Sequence, residues 1–277
     1  MHGKLFKRVF ALSLKQSWLA PLEGQLYAML DECDSDDQVE LISELLNEFK
    51  FLRQDDERQA LESIAGEIIN LGYPEETVQV VATSANDDAD SGQAVLYGLK
   101  PIFARLGWRN VKMVNQFTKA QRNVPEMPNV CLVDEFVGTG RTMLGRIEAL
   151  NRDFNNNKHF SSGKFHVFTY AGMSQAKDHL LASGLCDRAY FVHDLRRGIS
   201  DLLNGPDVIS KADAMRLLEG KLKSVVNGYP LPEFGDGACE ALYGREGGNA
   251  PNSVFPIFWW PNLRDGSERD TLLIRKV

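Results

Sequence analysis

Asp134 and Glu135 stand side by side at the end of an apolar run, and the residues after them, Val137-Gly138-Thr139-Gly140-Arg141-Thr142, combine glycines, hydroxyls and a helix start. Glycine lets a backbone turn sharply and approach a ligand, while amides at a helix start and threonine hydroxyls offer donors to an anion. The stretch is therefore suited to cradle a phosphate. Two carboxylates touching that phosphate would repel it, so they must serve another part of the same molecule. A ribose 5-phosphate meets both demands: its phosphate enters the cradle, and its 2′- and 3′-hydroxyls donate to the acids. The bland alternative is an α/β turn with solvated acids. A Walker loop is excluded because no Gly-Lys-Ser/Thr follows at the right spacing, and a dinucleotide fingerprint fails for want of its third glycine.

Such a site needs a sheet behind it. Val130, Cys131, Leu132 and Val133 are apolar on both alternating faces, as expected of a covered parallel strand, and ligands of open α/β sheets bind at the strands' carboxyl ends. Short apolar runs predict five strands, over 78–84, 111–116, 129–136, 165–172 and 189–195, with helices over 91–106, 141–152 and 174–183. The segment FTKAQRNVPEMP carries two prolines and no helical period, which predicts a long mobile loop between the second and third strands. Ahead of the sheet, SDDQVELISELLNEFKFL has helical spacing, Ser35 as N-cap and Gln38 in capping-box position; ERQALESIAGEIINLG predicts another helix ending at Gly72. The expected organisation is a helical extension over 1–72, an α/β core over 73–200, and a helical, aromatic-rich segment over 201–277.

The stretch VCLVDEFVGTGRTM resembles, without a gap, the PRPP-binding motif of type I phosphoribosyltransferases: four apolar residues, two acids, two apolar residues, a small residue, then Thr-Gly-any-Thr. The resemblance implies a type I phosphoribosyltransferase-like parallel sheet flanked by helices. It assigns Asp134 and Glu135 to the ribose hydroxyls, as the catalytic pair, and Val137 through Thr142 to the 5′-phosphate. By element order it places a pyrophosphate loop after the first core strand, with Ser84, Ser91 and Gly92 lining it. The acids there, Asp87, Asp88 and Asp90, would repel a pyrophosphate unless Mg²⁺ lay between, so Asp87 and Asp88 are the metal-ligand candidates; Asp90 or Ser91 capping the next helix is the plainer reading. Lys119 and Arg122 are the flexible-loop cations. A hood that selects the base would come from the C-terminal segment, with Asn252, Phe258 and Trp259 as candidates, although packing is the commoner use of such aromatics. Gly138 stands where some purine-using relatives carry an acid. The N-terminal helices and aromatic tail are unlike the hoods of salvage enzymes and resemble phosphoribosyltransferase-like proteins of bacterial conflict and defence systems. Under this resemblance the expected ligand is PRPP or a nucleotide, either turned over by phosphoribosyl transfer or removal, or sensed without turnover to control a partner protein or RNA.

Composition sets the outer bounds. With 277 residues, 43% hydrophobic and 25% charged, the chain suffices for a full-sized core. A net charge of -7 argues against a general nucleic-acid or membrane-surface binder, while leaving room for a local basic groove. Cys33, Cys131, Cys186 and Cys239 show no CxxC pairing and read as thiols of a reducing, cytoplasmic setting. The five histidines show no metal-like spacing, and no run of about 18 apolar residues predicts a membrane span. A homodimer or a protein partner is compatible with all of this.

Overall fold

The structure, a computed structural model, describes residues 2–84, 90–123, 126–156, 163–203 and 207–276. Its contacts divide the chain into two compact units, Met1–Arg53 with Arg196–Val277, and Gln54–Leu195. This partition is drawn differently from boundaries at 72 and 200, for two physical reasons given below.

The first segment carries helices α1 (His2–Lys15), α2 (Glu23–Asp31) and α3 (Asp36–Asn47) and the short strand β1 (Lys50–Leu52). Ser35 caps α3 as its sequence predicts, its hydroxyl accepting from the Gln38 amide at 3.3 Å, while the Gln38 side chain reaches back to the Asp34 amide at 2.7 Å. Both bonds satisfy donors that a helix start leaves orphaned.

Helix α4 (Gln54–Ile69) then buries Ala60, Ile64, Ala65 and Ile68. This stripe faces the sheet unit, where the Ser63 hydroxyl meets that of Tyr190 at 2.8 Å and Glu67 pairs with Arg188. The helix thus belongs with the core and not with the N-terminal extension. There follow β2 (Val78–Ala82), α5 (Ser91–Arg105), β3 (Lys112–Val114), α6 (Phe117–Ala120), β4 (Asn129–Val137), α7 (Arg141–Asn156), β5 (Lys164–Met173), α8 (Ser174–Ala182) and β6 (Arg188–Leu195). Five strands form one sheet in the order β3-β2-β4-β5-β6, every neighbouring pair parallel. Helices follow the strands, as the alternating sequence pattern requires. Between β2 and β4 the direction of winding reverses, and it is outside the carboxyl ends of strands at such a switch point that open α/β sheets form their ligand crevice.

One expectation needs correction. The segment between β3 and β4 is not a loop throughout: Phe117 and Ala120 are buried in α6, the Phe117 amide donates to the Ser84 carbonyl at 3.1 Å, and the Gln79 side chain donates to the Met127 carbonyl at 2.9 Å. Two buried apolar residues three apart make a single helical turn too short to show a period in sequence.

The last segment contains α9 (Asp207–Glu219), β7 (Val225–Val226), β8 (Tyr229–Pro230) and β9 (Tyr243–Arg245). β9 pairs in parallel with β1, so the two ends of the chain build one unit together. Its core is the aromatic tail: Phe255, Phe258, Trp259 and Trp260 are each at most 1% exposed. Phe49 meets Phe258 edge-on at 5.6 Å, tying the tail to the N-terminal helices. Arg269 is buried against it, donating to the Glu32 carboxylate at 2.7 Å and to the Trp260 carbonyl at 2.8 Å. Such a pair holds its charges only because nearly every donor finds an oxygen.

Candidate functional site

Asp134 lies near the end of β4, at the crevice. Its carboxylate accepts from the Ser91 hydroxyl at 2.8 Å, from the Glu135 amide at 2.7 Å and from the Thr83 hydroxyl. Thr83 follows β2 and Ser91 opens α5, so the acid joins the two elements that flank the first βα turn. An ionised carboxylate offers about four lone-pair sites. Among the described residues three are taken, two on Oδ1 and one on Oδ2, which leaves one on Oδ2. Burial pushes the Asp134 pKa above the usual carboxylate range, opposed by the bonds from Thr83 and Ser91 and assisted by the nearby charge of Asp90. Glu135 is buried at 4% exposure, and strand alternation directs it to the opposite face from Asp134.

The turn after β4 has the shape its sequence implies. Gly140 adopts φ +77°, and a Cβ there would stand 3.2 Å from the Ala176 carbonyl, so both backbone and space demand glycine. The Thr139 hydroxyl accepts from the Arg141 amide at 3.3 Å at the start of the 16-residue α7. Gly138 and Thr139 are half-buried, Arg141 and Thr142 are exposed, and Val137 anchors the turn in the core. The first amides of α7 carry the positive end of its dipole, and a helix start of this kind attracts an anion.

The expected pyrophosphate-loop residues are also here. Ser91 contacts Asp134, and Gly92 packs so closely that a Cβ would lie 3.1 Å from Thr83 N, Thr83 Oγ1 and Val133 O. Asp90 caps α5 by accepting from the Gly92 amide at 2.8 Å, which is the plainer of the roles its position allows. Ser84 is 1% exposed and its hydroxyl meets no partner among the described residues. Asp87 and Asp88, the metal candidates, lie outside the described residues. Lys119 and Arg122 are exposed on the α6 side, Lys119 reaching the Asn115 side chain at 3.5 Å.

Sequence reading missed Thr83, Arg146 and Phe117. The Arg146 Nε donates to the Thr83 carbonyl at 3.3 Å, and its guanidinium lies 4.4 Å from the centre of the Phe117 ring. A hydroxyl at the last position of VQVVAT was a usable signal for Thr83. Nothing in the spacing of Arg146 pointed to the crevice.

The proposed base readers stand elsewhere in character. Phe258 and Trp259 are core side chains of the other unit, 0% and 1% exposed, and the Trp259 indole donates to the Val254 carbonyl at 2.9 Å. Their faces are packed against protein, which corrects the expectation that they stack on a base. Asn252 is half-buried and donates to the Tyr229 hydroxyl at 3.2 Å. Cys131, Cys186 and Cys239 are buried and Cys33 is half-buried, all as free thiols. Among the described residues no group of three His, Cys, Asp or Glu side chains could hold a metal, and no helix is long and apolar enough to cross a membrane.

A model of the PRTase-CE family matches residues 28–273, most of the chain and both units. The chain belongs to the PRTase-CE family. The match carries the phosphoribosyltransferase-type assignment from the β4 motif to the whole molecule, including the helices and aromatic tail that local motifs left unexplained. A solved structure similar to this PRTase-CE chain is a hypothetical protein from Neisseria gonorrhoeae with bound ppGpp, at 14% identity and TM-score 0.33, over 60% of this chain and 97% of that one. No curated protein matches.

Proposed function

We propose that this protein binds PRPP or a nucleotide through its 5′-phosphate and ribose, and transfers or removes the phosphoribosyl group. The observation that carries the reading is the juxtaposition at one crevice of the Asp134 carboxylate, with one acceptor site open, and the Gly138–Thr142 turn at the start of α7. The turn's amides take the phosphate. Asp134 accepts a ribose hydroxyl, and Glu135, its neighbour on the strand, is assigned to the sugar by the motif alone.

Cleavage at C1′ passes through a sugar that gains positive charge, so the protein's part is to hold the ribose and keep negative charge near it. Asp134 supplies that charge when ionised. Mg²⁺ would neutralise the leaving pyrophosphate. Such an ion keeps most of its waters and rides on substrate phosphates with help from one or two carboxylates, and Asp87 and Asp88 are the residues that would give that help. The setting is cytoplasmic, the partner a second copy or another protein, and the biological role that of a bacterial defence effector.

A second reading, nucleotide sensing without turnover, draws on one specific observation. Asp134 is already held by three protein donors, and burial favours its neutral form, which weakens its support for a developing cation. Calorimetric titration of PRPP and nucleoside monophosphates, with and without Mg²⁺ and followed by assays for pyrophosphate and free base, separates the two. Turnover identifies the enzyme, binding alone identifies the sensor, and no binding of either ligand class defeats both.

A further inference from the structure

We infer that Arg146 is a positioning residue of this site, a planar clamp that fixes the turn after β2 and the segment after β3 to the phosphate-binding helix. The inference rests on the functional reading above for its meaning, but its geometry stands independently. Arg146 is half-buried on α7, one and a half turns below the phosphate turn. Its Nε donates to the Thr83 carbonyl, and the centre of its guanidinium lies over the Phe117 ring, 4.4 Å from the centroid. Phe117 in turn donates its amide to the Ser84 carbonyl at 3.1 Å. The four residues close a ring: helix to turn, turn to α6, α6 back to helix.

That ring borders the ligand carboxylate. Thr83 gives its carbonyl to Arg146 and its hydroxyl to Asp134, so the guanidinium sets the height and rotation of the residue that orients the acid. Ser84 comes next in the chain. A backbone carbonyl held by a guanidinium is a charge-assisted bond, and the cation over the Phe117 ring adds a second contact. Lysine would keep the charge but match neither geometry. Arg146 has no acidic partner among the described residues, so ion pairing does not account for its burial.

The test compares Arg146→Lys, Arg146→Gln and Phe117→Leu with the unmodified chain. Without ligand, amide hydrogen exchange over 83–84, 90–96 and 115–121 should rise about tenfold in both Arg146 variants, while amides of β5 and β6 keep their rates. In titrations, both should weaken PRPP and ribose 5-phosphate by about tenfold and inorganic phosphate by less than about threefold, because the last leans on the α7 turn alone. Phe117→Leu, which removes the stack and keeps the cation, should give the same pattern at smaller size. Recovery of PRPP affinity by lysine would show that only charge matters and would overturn the proposal, as would unchanged local exchange in Arg146→Gln. If the Arg146 variants lose the β5 and β6 protection too, Phe117→Leu decides. Failure of the unmodified chain to bind either sugar phosphate would defeat the functional reading and leave the exchange experiment to judge Arg146.

Discussion

In the sheet unit, polar side chains gather at one edge, where Thr83, Ser91 and Asp134 meet beside an exposed helix start; in the helical unit they are drawn inside, where Arg269 holds Glu32 and Glu240 takes the amides of Ile199 and Ser200 at 2.8 and 2.7 Å. The first arrangement keeps an acceptor available to something that arrives. The second uses hydrogen bonds to define a core around aromatic residues that have one short 3₁₀ turn, Pro256–Phe258, to order them. The contrast separates polar groups left with an acceptor site to spare from polar groups spent on the fold, although both units bury ionisable groups.

The contrast sharpens with pH, because each unit buries a group whose preferred state is neutral but whose proton count shifts the opposite way. Glu219 is 2% exposed, and burial, with Glu233 and Glu240 adding repulsion, pushes it from 4.5 to about 8 against the pull of the Phe234 amide. Its folded pKa is raised, so its contribution is full below pH 4.5 and declines as pH rises to about 8, by on the order of 5 kcal/mol at most. Urea unfolding of the helical unit at pH 5 and 8 should show the loss, and Glu219→Gln should flatten it. A flat profile in the unmodified chain would mean the carboxyl is reached by water.

Next in size is a steric break of that same unit. Gly235 adopts φ +79°, and a Cβ there would stand 2.0 Å from the Ser253 carbonyl. Gly235→Ala should cost about 4 kcal/mol, read by denaturation monitored through the buried indoles Trp259 and Trp260. A loss under about 1 kcal/mol would show that the 234–240 turn tolerates more movement than its packing implies.

The sheet unit should answer in the opposite direction. His166 is 3% exposed on β5, and burial lowers it from 6.5 to about 4. Its folded pKa is depressed, so the neutral ring's contribution is full above pH 6.5 and is lost as pH falls to about 4, by on the order of 3 kcal/mol at most. Hydrogen exchange of the β5 amides between pH 7 and 4, corrected for intrinsic rates, measures it, with His166→Phe as the variant expected to remove the slope.

The smallest effect belongs to the site itself. Asp134→Asn should weaken ribose phosphate binding by about 10- to 100-fold, on the order of 2 kcal/mol, with little change in unfolding free energy. Because burial raises the Asp134 pKa, binding by the unmodified chain should strengthen as pH rises through it, and the asparagine variant should lose that trend. Equal calorimetric affinity in the two would remove Asp134 from the ligand.

What the sequence disclosed follows the same division. β4, its acids and the glycine turn were readable because a covered strand, a sharp turn and a helix start each leave a local residue pattern, and all five strands were placed from short apolar runs. The helical unit was opaque because its order is long-range: β1 pairs with β9 across nearly two hundred residues, and Phe258 finds Phe49. Within the site, the Arg146 contacts were invisible for the same reason. Nothing near Arg146 in the chain announces Thr83 or Phe117.

The state of the Asp134 carboxylate has a stoichiometric consequence. With a single site on Oδ2 left by the described residues, it serves one hydroxyl and no more unless Thr83 or Ser91 lets go. A sugar seated there must divide its vicinal diol, leaving one alcohol for a different acceptor, and the serine and threonine then act as competitors that the sugar must outbid.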